Sequence, residues 1–216
     1  MIKNIIFDIG GVLLEYNPKT YLDKLNIEEV KRKEIDDIIF HNSKWKDCLN
    51  GIINNEELIE ILIKQNTKYE KEIKQILDKQ NLKYMLPPKN DMIEYYKLLK
   101  QKGYKIYLCS NITEDTYNYI RNEFDIIQEA NGGVFSCFEH ISKPNVEIYN
   151  KLIEKYNLNI EESVLVDDTK RNIISANEIG LRGIVFDNFK QLEKIIAELE
   201  DEGDKKNIEI KLNKVL

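Results

Sequence analysis

The sequence offers little from which to build a disulfide framework, a thiolate metal site or a membrane span. Its three cysteines, Cys48, Cys109 and Cys137, are odd in number, widely spaced and without a Cys-x-x-Cys pair, so reduced and mostly buried thiols are expected. No apolar run approaches the roughly 20 residues needed to cross a bilayer, and no membrane association is expected. Positive charge is in deficit. With 32 Lys and Arg against 38 Asp and Glu the net charge is −6, which works against non-specific nucleic-acid binding because that needs a basic face. A leader is not suggested either: Met1 to Asp8 runs straight into a strand-like pattern, with no basic segment, apolar stretch and small-residue cleavage site, and a cytoplasmic protein is expected.

What is present is an ordinary globular mixture, 42% hydrophobic and 32% charged, which argues against disorder. At 216 residues the chain accommodates one α/β core with a smaller inserted unit. Lys3 to Asp8 is a short β-branched and aromatic run ending at Gly10-Gly11, a buried strand and a sharp turn. From about Pro18 to Asn81 the pattern is helical, four or so helices with a capping box at Asn54-x-x-Glu57. That stretch reads as a small bundle closed by Pro87-Pro88.

Alternation of strands and helices then resumes. Helices are expected near Asp91–Lys102, Thr113–Phe124, Asn145–Tyr156, Lys170–Ile179 and Lys190–Leu199, with strands at Tyr104–Cys109, Ser163–Val166 and Arg182–Phe186. This order predicts an α/β fold, a doubly wound parallel sheet with an inserted helical bundle. The expected division is a core of residues 1–16 and 86–200, an insertion of 17–85, and a segment 201–216. In that segment Asp201 to Lys206 resembles a linker, and Ile208, Ile210 and Leu212 suggest an edge strand or a frayed tail.

In open parallel sheets the ligand crevice lies at the carboxyl ends of the strands. Four such places carry informative polar residues: Asp8, Ser110-Asn111, Lys143 and Asp167-Asp168. Singly, each has an ordinary reading. Asp8 and Ser110-Asn111 are turn residues, Lys143 is a solvated charge, and Asp167-Asp168 cap the following helix. Together they are harder to dismiss. Adjacent carboxylates at a buried strand end repel one another unless a cation lies between them and Asp8. A hard divalent ion such as Mg²⁺ suits that arrangement. A phosphoryl group placed between the ion and Lys143 would be neutralised from two sides, with Ser110 and backbone N–H groups holding its other oxygens.

These segments have a familiar order. Phe7-Asp8-Ile9-Gly10-Gly11-Val12-Leu13, Leu108-Cys109-Ser110-Asn111, Ser142-Lys143-Pro144 and Val164-Leu165-Val166-Asp167-Asp168 with Asn172 resemble the four motifs of haloacid-dehalogenase-type phosphatases. The resemblance covers residues 3 to about 199. It implies a Rossmann-like core, a helical cap between the first two motifs, and Mg²⁺-dependent hydrolysis of a small phosphorylated metabolite through an aspartyl-phosphate. By the same match Asp8 is the nucleophile, and Ser110 and Asn111 belong to the phosphate site. Lys143 balances charge there. Asp8, the Gly10 carbonyl and Asp168 bind Mg²⁺ directly, with Asp167 acting through water. Trp45, Gly51 and Glu57 resemble the branch of sugar-1-phosphate phosphatases and the phosphatase domain of soluble epoxide hydrolase, so a sugar phosphate is the expected substrate.

One departure stands out. Most phosphatases of this type carry an acid/base aspartate two residues after the nucleophile, where this chain has Gly10. Loss of such a group commonly costs about 10²- to 10⁴-fold. Glu15 is the nearest substitute in sequence, with a solvated loop carboxylate as its plainer reading. Two further readings follow: a 2-haloacid dehalogenase, disfavoured because that branch usually has an aromatic residue at the Gly10 position, and a phosphometabolite-binding regulator that does not turn over. His140 is read as a surface or supporting residue and Cys109 as packing.

Overall fold

In a computed structural model, the backbone is described for residues 1–213 and the side chains for residues 1–201. Strands β1 (Asn4–Phe7), β2 (Lys105–Ser110), β3 (Gly132–Phe135), β4 (Ser163–Asp167) and β5 (Arg182–Val185) form one parallel sheet in the order β3-β2-β1-β4-β5. Between β1 and β2 lie α1 (Pro18–Lys24), α2 (Glu29–Ile39), α3 (Ser43–Leu49), α4 (Asn55–Gln65), α5 (Glu70–Ile76), α6 (Leu82–Met85) and α7 (Asn90–Gln101). After β2 come α8 (Glu114–Glu123) and α9 (Ile126–Glu129), and after β3 come α10 (Ser136–Glu139) and α11 (Glu147–Tyr156). Helix α12 (Lys170–Glu178) joins β4 to β5, and α13 (Phe189–Asn213) ends the described chain.

The sheet is doubly wound, with helices packed on both faces and successive strand side chains turned to one face and then the other. Ile5 and Phe7 of β1, Ile106 and Leu108 of β2, and Val164 and Val166 of β4 join one hydrophobic cluster with Tyr96 of α7 and Leu192 of α13. Ile6, Tyr107, Cys109 and Leu165 face the other way, onto Tyr149 and Leu152 of α11 and Ile173 and Ala176 of α12. Successive side chains of a strand point to opposite faces, so a nearly continuous apolar run supplies both cores. The first cluster also contains Tyr21, Ile35, Leu58 and Ile73 of the inserted helices, so insertion and core share apolar packing.

Three differences from the sequence reading have physical causes. The inserted stretch contains six short α-helices before Pro87 rather than four, because Asn42, Asn54 and Asp78 each accept a backbone N–H and restart the chain. Strand β3 was not anticipated, since glycine pairs mark turns. Here both glycines are needed for close approach: a Cβ on Gly132 would lie 2.3 Å from the Tyr156 ring, and one on Gly133 would lie 3.0 Å from the Leu108 carbonyl oxygen. Finally, the linker and edge strand expected over 201–216 are replaced through Asn213 by the continuation of α13. A single glycine, Gly203, costs a helix only about 1 kcal/mol, too little to stop a run rich in Glu, Lys and Leu. Residues 214–216 lie outside the described residues.

Candidate active site

The register brings the motifs level. Phe7 pairs with Leu108 on one side and Val166 on the other, so Asp8 emerges beside Cys109 and Asp167 at the carboxyl edge of the three central strands. Asp8 and Lys143 are both buried. Asp8 Oδ1 accepts from Ser110 Oγ at 2.7 Å and from the Ile9 N–H at 2.7 Å, and its Oδ2 faces Lys143 Nζ at 2.9 Å. The same ammonium donates to the Cys109 carbonyl at 2.7 Å and to Asp167 Oδ2 at 2.6 Å. Three acceptors match its three N–H donors. Burial works against that charge, yet the two flanking carboxylates outweigh it and hold Lys143 above the usual lysine range.

Burial also drives the Asp8 carboxyl upward, with Lys143 opposing and Asp167 reinforcing the rise. Asp167 is wholly buried and fully engaged: its Oδ1 accepts from the Thr169 N–H, both oxygens accept from Asn172 Nδ2 at 3.0 Å, and Oδ2 takes Lys143. Asp168 differs. It is exposed, and its Oδ1 accepts from Thr169 Oγ1 at 3.2 Å. Its Oδ2 lies where a Cβ on Gly11 would be, 2.1 Å away, so Gly11, at φ +81°, admits no side chain. Carboxylate oxygens of Asp8, Asp167 and Asp168 lie within 4.8 Å of one another. Three carboxylates and one ammonium leave an excess of negative charge, and an all-oxygen donor set of this size fits a hard divalent cation.

The crevice opens into a cavity of about 200 Å³ between the sheet edge and the inserted helices. Asp8, Gly10, Ser110, Asn111, Lys143 and Asp168 all border it, and Asp167 does not. Two candidates are placed differently. Glu15 does not border the cavity: it is exposed, and its backbone N–H donates to the Pro87 carbonyl, which fixes the loop along the outside of the crevice. Asn111 borders the site, but its amide is engaged with the backbone of Lys143, accepting its N–H at 2.8 Å and donating to its carbonyl at 2.9 Å. That amide pairing clamps the lysine segment in place at the edge of the cavity.

Elsewhere the plainer readings hold. Cys109 is buried, and His140 is exposed with Nδ1 2.9 Å from the Asn50 carbonyl. Glu57 closes the capping box of α4 with Asn54, and Gly51 is glycine because a Cβ there would meet the Cys137 carbonyl oxygen at 2.1 Å. Trp45 does border the cavity, edge-on to Phe40. Sequence reasoning missed Tyr16, Arg171 and Asp115, which also line it. Arg171 had left a signal: it and Lys170 occupy the first turn of α12, where the helix dipole disfavours cations.

Residues 2–180 match the family model for haloacid dehalogenase-like hydrolases. The chain belongs to that family. It is 27% identical over 186 residues to the sesquiterpene phosphatase AstK of Aspergillus oryzae, covering 84% of this chain and 88% of that protein. Its fold is similar to a HAD-like family hydrolase from Porphyromonas gingivalis, with TM-score 0.75, 22% identity and coverage of 92% and 98% of the two chains. It is likewise similar to a family enzyme from Bacteroides thetaiotaomicron solved with magnesium and inorganic phosphate, with TM-score 0.70, 20% identity and coverage of 89% and 99%. As in the family generally, the hydrolase core is a parallel sheet flanked by helices.

Proposed function

We propose that this hydrolase cleaves a small phosphomonoester in two half-reactions at Asp8, with Mg²⁺ as its cofactor. The observation that carries the reading is the setting of Asp8: a buried carboxylate between Ser110 Oγ and Lys143 Nζ on the wall of a cavity bordered by the inserted helices. The named activity of the Aspergillus relative supports the phosphatase assignment.

Asp8, Asp168 and the Gly10 carbonyl would hold Mg²⁺, which supplies charge neutralisation at the phosphoryl oxygens. A carboxylate oxygen of Asp8 forms the new P–O bond as the ester P–O bond breaks, and the departing oxygen keeps the electron pair and takes up a proton. Water then cleaves the acyl phosphate, releasing inorganic phosphate and restoring Asp8. Ser110 holds one phosphoryl oxygen, and Lys143 offsets charge on Asp8 and the phosphate. Asp167 and Asn111 act on Lys143, one through its ammonium and the other through its backbone. The helices α1–α6 serve as a cap that excludes water from the chamber and selects the leaving group.

The decisive experiment is phosphate release with and without Mg²⁺, paired with mass spectrometry of acid-quenched enzyme. A phosphate adduct on the peptide containing Asp8, absent from Asp8→Asn, is expected. Turnover by Asp8→Asn at the wild-type rate refutes the covalent route. An adduct that forms and never discharges would instead identify a phosphate-binding regulator, consistent with glycine at position 10.

A further inference from the structure

The inserted helices determine what can lie beyond the phosphate, and their contribution to the cavity is mostly apolar, with Asn55, Asp78 and Lys79 as its polar members. Leu49, Ile76, Leu77, Leu82 and Met85 line it from the insertion and Ile120 from α8, with Trp45 beside them. The polar side chains along the same wall are largely committed to one another or to backbone. Thr113 Oγ1 donates to Thr116 Oγ1 at 2.9 Å and accepts the Thr116 N–H. Asn55 Nδ2 donates to the Leu77 carbonyl at 2.9 Å, and Asp78 Oδ1 accepts the Gln80 N–H.

Asp115, which lines the cavity from α8, departs from this pattern: its Oδ2 is buried and, like the Oδ1 of Asn172 on α12, meets no hydrogen-bond donor among the described residues. A buried acceptor without a partner is costly, more so when it belongs to a carboxylate. Burial raises the Asp115 carboxyl above its usual range, and Glu56 adds to the rise, with Lys79 opposing it.

Resting on the phosphatase reading, we infer that the substrate is the monophosphate of a largely apolar alcohol bearing one hydrogen-bond donor, a hydroxyl or ammonium, that meets Asp115. A sugar phosphate fits poorly, since most of its hydroxyls would face Leu, Ile and Met side chains without partners. Asp115 is thus a specificity-determining residue, distant in sequence from the motif residues that handle the phosphate and brought to the same cavity by α8.

The test uses the full chain with Mg²⁺ and three kinds of substrate: acetyl phosphate, n-alkyl monophosphates of increasing length, and ω-hydroxyalkyl monophosphates of the same lengths. KM should fall about fourfold per methylene while the chain is being buried. At the best length the ω-hydroxy compound should show a KM about 10- to 100-fold below its alkyl counterpart, the range for a hydrogen bond to a charged group. Asp115→Leu should abolish or reverse the hydroxyl preference and retain the methylene dependence, a pattern that loss of structure would not produce. Acetyl phosphate cleavage with a KM flat against chain length, or with no hydroxyl preference in the wild type, overturns this inference and leaves the phosphatase reading standing. Absence of phosphate release from acetyl phosphate overturns both. The wild-type comparison decides the matter even if Asp115→Leu does not fold.

Discussion

Asp8→Asn should make the metal-free protein more stable at pH 8. Burial pushes the Asp8 carboxyl from 3.8 up to about 6, against the pull of Lys143, so holding it ionised in the folded state costs about 3 kcal/mol relative to the unfolded chain. An asparagine escapes that cost. It keeps an oxygen for the Ile9 N–H and Ser110 Oγ, but its Nδ2 would face Lys143 Nζ, donor against donor, at a cost of about 1–2 kcal/mol. Lys143 retains the Cys109 carbonyl and Asp167.

The net gain is about 1–2 kcal/mol. Because the folded pKa lies above the unfolded one, the wild-type penalty is complete above pH 6, shrinks as pH falls, and disappears below about 4. Urea denaturation of both proteins in EDTA from pH 4 to pH 8 measures this, and other carboxylates cancel in the difference. Excess Mg²⁺ should narrow or reverse the gap by binding folded wild type more tightly, worth about 2.7 kcal/mol at a hundredfold excess over Kd. A variant less stable than wild type at pH 8, or a gap that ignores pH, would refute the argument.

Asp167→Ala should destabilise the fold by about 3–5 kcal/mol in urea, because it strands the buried Lys143 ammonium and Asn172. Asp168→Ala should leave stability within about 1 kcal/mol and weaken Mg²⁺ binding, read by calorimetry, more than any loss of fold explains. Gly10→Asp should fold, since a Cβ there meets Tyr16 Cβ at an ordinary 3.4 Å, and should speed primary alkyl phosphates more than acetyl phosphate by supplying the missing proton donor; equal effects on both refute that role. Asn111→Ala should lower kcat about tenfold or more with little change in KM if its clamp on Lys143 matters to the transition state, and a pure KM effect would assign it to phosphate binding instead.

Much of this molecule was determined locally. Apolar runs such as Ile5-Ile6-Phe7 and Val164-Leu165-Val166 can be buried on both faces only in a parallel sheet, and the helices between them carry their own caps and periodicity, so the doubly wound core was legible without coordinates. The motif residues Asp8, Ser110 and Asp168 were legible for a related reason: in such a sheet strand ends converge, and each ends a strand or directly follows one, whereas Lys143 lies beyond β3 and α10 and was legible through the motif order. What only the tertiary structure decided is which side chains are already engaged. Residue type and spacing do not distinguish Asp167, saturated by Lys143, Thr169 and Asn172, from the open Asp168 beside it, and only the family resemblance separated their roles. Glu15 lies seven residues from Asp8 and yet outside the cavity, whereas Asp115 is more than a hundred residues away and lines it. Proximity to a reacting centre is set by packing between the insertion and α8, and contacts of that kind depend on the whole fold rather than on spacing along the chain.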